Sequence, residues 1–175
     1  PAVSMLERVG VRSFQRRLGE VGLTTLRKSP EHYGLGLVLG NCEVRLDELA
    51  AGYLTLANLG VYRNVQLRLT EDDKQPEKRA WSPGVARAMY GMLEQALPKE
   101  LHRGLIRSDV LEARVCWKTG TSTGHHDAWA FVFNGEDVVG VWIGNADGSR
   151  SDRLVGATAA LPLAGRVFRG LKKGV

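Results

Sequence analysis

The chain has 175 residues, 43% of them hydrophobic, which is enough for one domain with a genuine core. No apolar run reaches about 18 residues, so these residues contain no membrane-spanning helix. The formal net charge of +5 permits attraction to anionic partners, but the basic residues are scattered, which gives no case for a nucleic-acid partner.

The densest basic group is Arg12, Arg16, Arg17, Arg27 and Lys28, and Arg12 and Arg16 stand four apart, the spacing of an ordinary solvated helix face. Cys42 and Cys116 lie far apart and in no C-x-x-C pattern, so they read as free buried thiols rather than zinc ligands, with a disulfide between them as the alternative. The chain opens at Pro1 without Met, and no secretion signal is visible. It reads as a segment of something longer, whose signals and anchors lie elsewhere.

Taken in order, residues 4–28 predict one or two short helices, with Leu6, Val9, Phe14 and Leu18 at helical spacing and Gly10, Gly19 and Gly22 as punctuation. The run "GLGLVLGN", 34–41, matches neither nucleotide-binding glycine pattern and is expected to be a loop. From Leu46 to Leu59, the positions Leu46, Leu49, Ala50, Tyr53, Leu54 and Ala57 mark an amphipathic helix closed by Gly60. Arg45 stands where a capping Thr would be expected, which weakens that cap.

"VQLRL", 65–69, alternates like a strand, and the polar run "TEDDKQPEK" after it reads as an exposed tip. A second helix starts at Ser82 as N-cap with Pro83 in its first turn, and Pro98 is expected to stop it. Then come the strands "EARVCWKTGT" and "DAWAFVF", a turn at Asn134–Gly135, and "VVGVWIGN". The last strand is apolar on both faces and is expected to be central, with covers on either side. After a turn at Asp147–Gly148, residues 155–173 predict a final helix bent at Pro162.

Lys118-Thr119-Gly120-Thr121-Ser122 at the end of a strand carries the chemistry, followed by Asp127-Ala128-Trp129 and by "GVWIGN" at 140–145. Alone, K-T-G is short. In this order, with these strands around it, the series resembles the end of a penicillin-binding transpeptidase domain. The resemblance extends through "LGNCEVRLDELAAGYLTLANLG" upstream and "GATAALPLAGRVF" downstream, so it covers nearly the whole chain. In detail it is most similar to class A penicillin-binding proteins of the 1C type, which pair a glycosyltransferase with this domain.

The resemblance implies an α+β fold, helices packed on an antiparallel sheet, here incomplete with three C-terminal strands. Residues 1–175 would be the C-terminal portion of one transpeptidase domain. It also implies an enzyme whose S-x-x-K serine attacks the D-Ala–D-Ala carbonyl of a peptidoglycan stem peptide and passes the acyl group to an amine, with β-lactams acylating the same serine. No cofactor is implied. Lys118 would turn a positive charge toward the substrate carboxylate, and Thr119, Thr121 and Ser122 would border the substrate. Gly120 would keep the strand edge open, and the Thr121 N–H would be an oxyanion donor. Lys118 and Thr119 alternate, so they serve one pocket only if the strand's rim borders it.

None of the serines is followed by a lysine three residues on or an asparagine two residues on. Both S-x-x-K and S-x-N are therefore absent, and Pro1-Ala2-Val3 resembles the segment that follows S-x-N in the family. The expectation is a nucleophile in the parent protein, upstream of this chain, and a chain inactive alone. The parent would be anchored on the periplasmic side of a bacterial cytoplasmic membrane. An uncovered edge at 138–144 would favour homo-oligomers.

His125 and His126 lack a third partner for a metal, and Asp127 reads as a structural acid. Trp129 and Trp142 are expected to pack the sheet against helices. Two other readings are a carboxypeptidase or β-lactamase relative, and a basic binding module without enzymatic activity.

Overall fold

The computed structural model describes residues 1–66, 77–95 and 115–171. The first predicted helical region is two helices, α1 (Ala2–Val9) and α2 (Val11–Gly19), broken at Gly10, whose φ of 83° no helix continues. A short helix α3 (Pro30–Tyr33) leads into a 3-10 turn over Gly34–Leu39, where the sequence had predicted a loop. Glycines 34 and 40 take positive φ at its two ends, while Leu37 between them is buried. Leu6, Val21, Leu23, Leu26, Tyr33 and Leu37 form the core of this end.

Helix α4 (Leu46–Ala57) is where the pattern placed it, and Arg45 makes no side-chain cap. Asp47 and Glu48 in the first turn complement the helix dipole, and Arg45 holds Asp47 through two hydrogen bonds of 3.0 and 2.8 Å. Its buried residues are Ala51, Thr55 and Ala57, whereas Leu46 is 38% exposed. The apolar face is wider than one stripe because the helix is packed on two sides. Leu49 meets the N-terminal core, and Tyr53, Leu56 and Ala57 meet the sheet.

After Leu59 and Gly60, both at positive φ, β1 (Val61–Tyr62) pairs with β2 (Lys78–Arg79). Val65 and Gln66 are not in a strand, and the rest of the predicted strand and most of its polar tip lie outside the described residues. Lys78, assigned to that tip, is instead a strand residue.

Helix α5 (Pro83–Leu93) begins as predicted, with Ser82 Oγ accepting from Val85 N–H. It ends earlier than expected. Glu94–Gln95 turn extended as β3 and pair with Cys116 and Val115; Pro98 lies outside the described residues.

The main sheet is antiparallel in the order β3-β4-β5-β6, with β4 Val115–Thr121, β5 Asp127–Phe133 and β6 Val138–Gly144. The expected three-strand meander is there, extended by the short β3. The hairpin turn centres one residue later than expected, on Gly135 and Glu136. Asn134 Oδ1 accepts from the N–H groups of Glu136 and Asp137, and Asn134 N–H bonds to the Asp137 carbonyl.

Alternation divides the sheet residues between two faces. Cys116 and Phe133 pack against Tyr53 and Leu56 of α4 and Tyr90 and Leu93 of α5. On the opposite face Val115, Ala128, Ala130, Val132 and Val139 pack against Leu161, Ala164 and Phe168 of α6 (Leu161–Leu171). Both faces of β6 are covered, as its sequence predicted. It is not central, however: among the described residues it ends the sheet.

The last helix is wound in two ways. Gly156–Ala160 form a wide π turn that runs directly into α6, whose second residue is Pro162. The winding thus changes just before Pro162, whose ring cannot continue the hydrogen-bond ladder.

Candidate functional site

The K-T-G residues occupy the last turnless stretch of β4, and the register fixes which way each peptide points. Ser122 N–H donates to the Asp127 carbonyl at 3.0 Å, which makes residues 118, 120 and 122 the ones bonded to β5. Gln95 Nε2 donates to the Trp117 carbonyl at 3.2 Å on the other side, so the alternate residues look outward. The backbone N–H groups of Thr119 and Thr121 therefore face the outer rim. Strand β3 pairs only as far as Cys116, so no strand among the described residues covers that rim from Lys118 to Thr121.

Side chains alternate as predicted: Lys118 and Gly120 lie toward α4 and α5, Thr119 and Thr121 toward α6. The rim brings Lys118 back to its neighbour. Its exposed Nζ donates to the Thr119 carbonyl, so the ammonium sits over the rim rather than beside one face. A Cβ built on Gly120 would meet only Trp129 Cβ at 3.5 Å, an ordinary contact. The protein's own packing does not require glycine there.

The hydroxyls are used by the fold. Thr121 Oγ1 accepts from Gly156 N–H at 2.9 Å, and Ser122 Oγ accepts from the N–H groups of His126 (3.1 Å) and Asp127 (2.8 Å). Each hydroxyl keeps its own proton for another acceptor. Ser122 thus holds the β4–β5 turn in shape, a role the sequence reading did not include.

That turn is also tied to the loop after β6. His126 Nδ1 lies 2.7 Å from the Gly148 carbonyl and so carries the proton, and Ser151 N–H donates to the His125 carbonyl. Among the described residues no group of three or more His, Cys, Asp or Glu side chains could hold a metal ion. Asp127 Oδ1 accepts from Trp142 Nε1, the structural use its position predicted. Trp129 lies between Trp142 and Phe131, with ring centroids 6.3 and 6.5 Å away, and Phe131 stacks on Tyr53 of α4 at 4.4 Å. Trp129 and Trp142 contact other sheet residues, with Phe131 between Trp129 and α4, and Trp142 is 40% exposed.

Burial of Cys116 pushes its thiol up to about 11, and the thiol donates to the Tyr90 carbonyl at 3.4 Å. Both cysteines are free. A cleft between Thr24, Thr25, Arg45 and Glu48 lies on other elements. Its Glu48 carboxylate is occupied by the Thr24 and Thr25 hydroxyls at 2.6 and 2.7 Å.

No family model matches the chain. It is 35% identical over 170 residues to penicillin-binding protein 1C of Escherichia coli (strain K12), a match covering 95% of this chain and 21% of that protein. The chain is homologous to part of the penicillin-binding proteins. It is also 29% identical over 169 residues to penicillin-binding protein 1A of Aquifex aeolicus (strain VF5), covering 93% of the chain and 23% of the relative. The chain thus spans about a fifth of the length of these relatives.

Among solved structures, the apo TP domain of penicillin-binding protein 3 from Burkholderia pseudomallei superposes with a TM-score of 0.62 at 17% identity, over 97% of this chain and 60% of that one. That likeness shows the fold: helices on an antiparallel sheet, here a partial sheet of four strands. The sequence reading missed Gly156, which meets the K-T-G strand directly. The small-residue run "GATAA" at a helix start was the available signal.

Proposed function

We propose that this chain is the C-terminal portion of a penicillin-binding transpeptidase domain and supplies its K-T-G strand. The observation that carries the reading is the outer rim of β4. Two amides point outward there, an ammonium lies over the edge, and a glycine sits where the fold does not need one. A substrate backbone laid along that rim would find donors for a carbonyl and a cation for its carboxylate.

In this reading the nucleophilic serine, with S-x-x-K and S-x-N, lies upstream in a longer chain. Its Oγ bonds to the D-Ala–D-Ala carbonyl carbon of a stem peptide while the C–N bond breaks and the hydroxyl proton passes to the leaving amine. A neighbouring strand's amine then takes the acyl group. A β-lactam is attacked in the same way. Lys118 and the hydroxyls of Thr119, Thr121 and Ser122 hold the carboxylate end. The Thr121 N–H holds the developing oxyanion, and Gly120 leaves the approach open. The parent is a class A enzyme that also carries a glycosyltransferase. It is anchored by a segment outside these residues and works on the periplasmic side of a bacterial cytoplasmic membrane.

The test is Lys118→Ala in a longer chain that carries the serine. Acylation by a fluorescent penicillin should fall by about 100-fold or more, the scale of losing a charged contact in such a site. Labelling at the unaltered rate would sink the reading.

A further inference from the structure

Gly156 is pressed against the one peptide of β4 that matters most to the proposed chemistry. A Cβ built on it would lie 2.4 Å from the Gly120 carbonyl oxygen, 2.7 Å from that of Trp129 and 3.1 Å from the Gly120 carbonyl carbon. Its φ is outside the left-handed region, so glycine is there for space and not for conformation. Gly120 and Trp129 are a register pair, which places Gly156 over the carbonyls that join β4 to β5.

The same residue donates its N–H to Thr121 Oγ1 at 2.9 Å and accepts, through its carbonyl, the Leu161 N–H that closes the π turn. Gly156 is buried. It therefore touches both residues that share the peptide bond between positions 120 and 121. That peptide is trans, so its carbonyl faces β5 and its N–H faces the rim. Whatever sets the tilt of the carbonyl sets the direction of the N–H.

We infer that Gly156 is a positioning residue for the Thr121 amide. The helical segment from 156 to 171 is then a rigid back-stop that aims the oxyanion donor. The segment can act in this way because Leu161, Ala164 and Phe168 anchor it in the core under β4 and β5. The inference rests on the transpeptidase reading above, because only that reading gives the Thr121 amide a task.

The test uses a longer chain that carries the serine, with benzylpenicillin as probe, and separates the saturating acylation rate from the concentration for half-saturation. Gly156→Ala should lower the acylation rate about 10- to 100-fold, since a misdirected donor acts on the transition state, while half-saturation moves less than about threefold. Gly60→Ala, which strains the chain against the Trp81 carbonyl rather than against this peptide or its helix, should leave the acylation rate within about twofold while the protein stays folded.

If Gly156→Ala does not fold, Thr121→Ala removes the partner of the Gly156 N–H together with a carboxylate contact, and should lower the acylation rate as well as raise half-saturation. A change confined to half-saturation would leave the hydroxyl with its substrate contact alone, and would overturn the inference. Equal losses in Gly156→Ala and Gly60→Ala would reduce Gly156 to a stability residue. No acylation of the unaltered chain would remove the transpeptidase reading and this inference with it. Acylation at the normal rate in Gly156→Ala would remove the inference alone.

Discussion

The indole N–H of Trp142 donates to Oδ1 of Asp127 at 2.9 Å, tying the first residue of β5 to the far end of β6. The bond crosses the sheet on the face that carries Trp129, and it gives the acid of the D-A-W sequence a structural task. Asp127→Asn keeps an acceptor oxygen and should cost less than about 0.5 kcal/mol. Asp127→Ala should cost about 1 kcal/mol, the size of one partly exposed hydrogen bond. Urea midpoints of the two variants decide this; a stable Asp127→Ala with lost β-lactam acylation would make the residue functional instead.

Two glycines should respond in opposite directions. Gly60 has φ 87°, and a Cβ there would lie 2.4 Å from the Trp81 carbonyl oxygen, so Gly60→Ala should destabilise by roughly 2–4 kcal/mol. Gly91 lies within α5 with nothing near its missing side chain, so Gly91→Ala should stabilise by about 0.5–1 kcal/mol. Thermal unfolding of both would check the pair.

Much of this was legible in the sequence where a residue type has only one use. Ser82-Pro83 marked a helix start, and the alternation of β5 marked its faces. K-T-G in front of D-A-W marked the strand that carries the proposed site. The failures have physical causes. Periodicity sees one stripe per helix, so α4, packed on two sides, buried Ala51 and Thr55 while exposing Leu46. A two-residue strand such as β3 is made by its partner, since nothing in Glu94–Gln95 marks it apart from the helix it ends. Gly156 was marked only as one of a small-residue run, because its contacts with residues 120 and 129 are made by the fold.

Alkali should unfold the chain at a lower pH than exposed groups alone would require. The Cys116 thiol is raised from 9.0 to about 11 and the Tyr53 hydroxyl from 10.0 to about 12, both by burial. Folding therefore favours the neutral forms. Their contribution is whole below pH 9.0 and is lost as pH rises through about 11 for the thiol and about 12 for the phenol. Cys116→Ala should flatten the first part of that loss in a series of urea titrations. In the folded protein at pH 8, iodoacetamide should leave Cys116 unmodified while partly exposed Cys42 reacts.

The outer edge of β6, Val138–Gly144, has no partner strand among the described residues. Isolated, the chain should self-associate through that edge, and light scattering should show a mass that rises toward a dimer with concentration. A monodisperse monomer at high concentration would mean the edge is protected in some other way.

The most direct measurement is the denatured intact mass of this chain, and of a longer chain carrying the upstream serine, after exposure to benzylpenicillin. This chain should keep its unmodified mass, and the longer one should gain one penicilloyl adduct. An adduct on these 175 residues, or none on the longer chain, would contradict an upstream nucleophile.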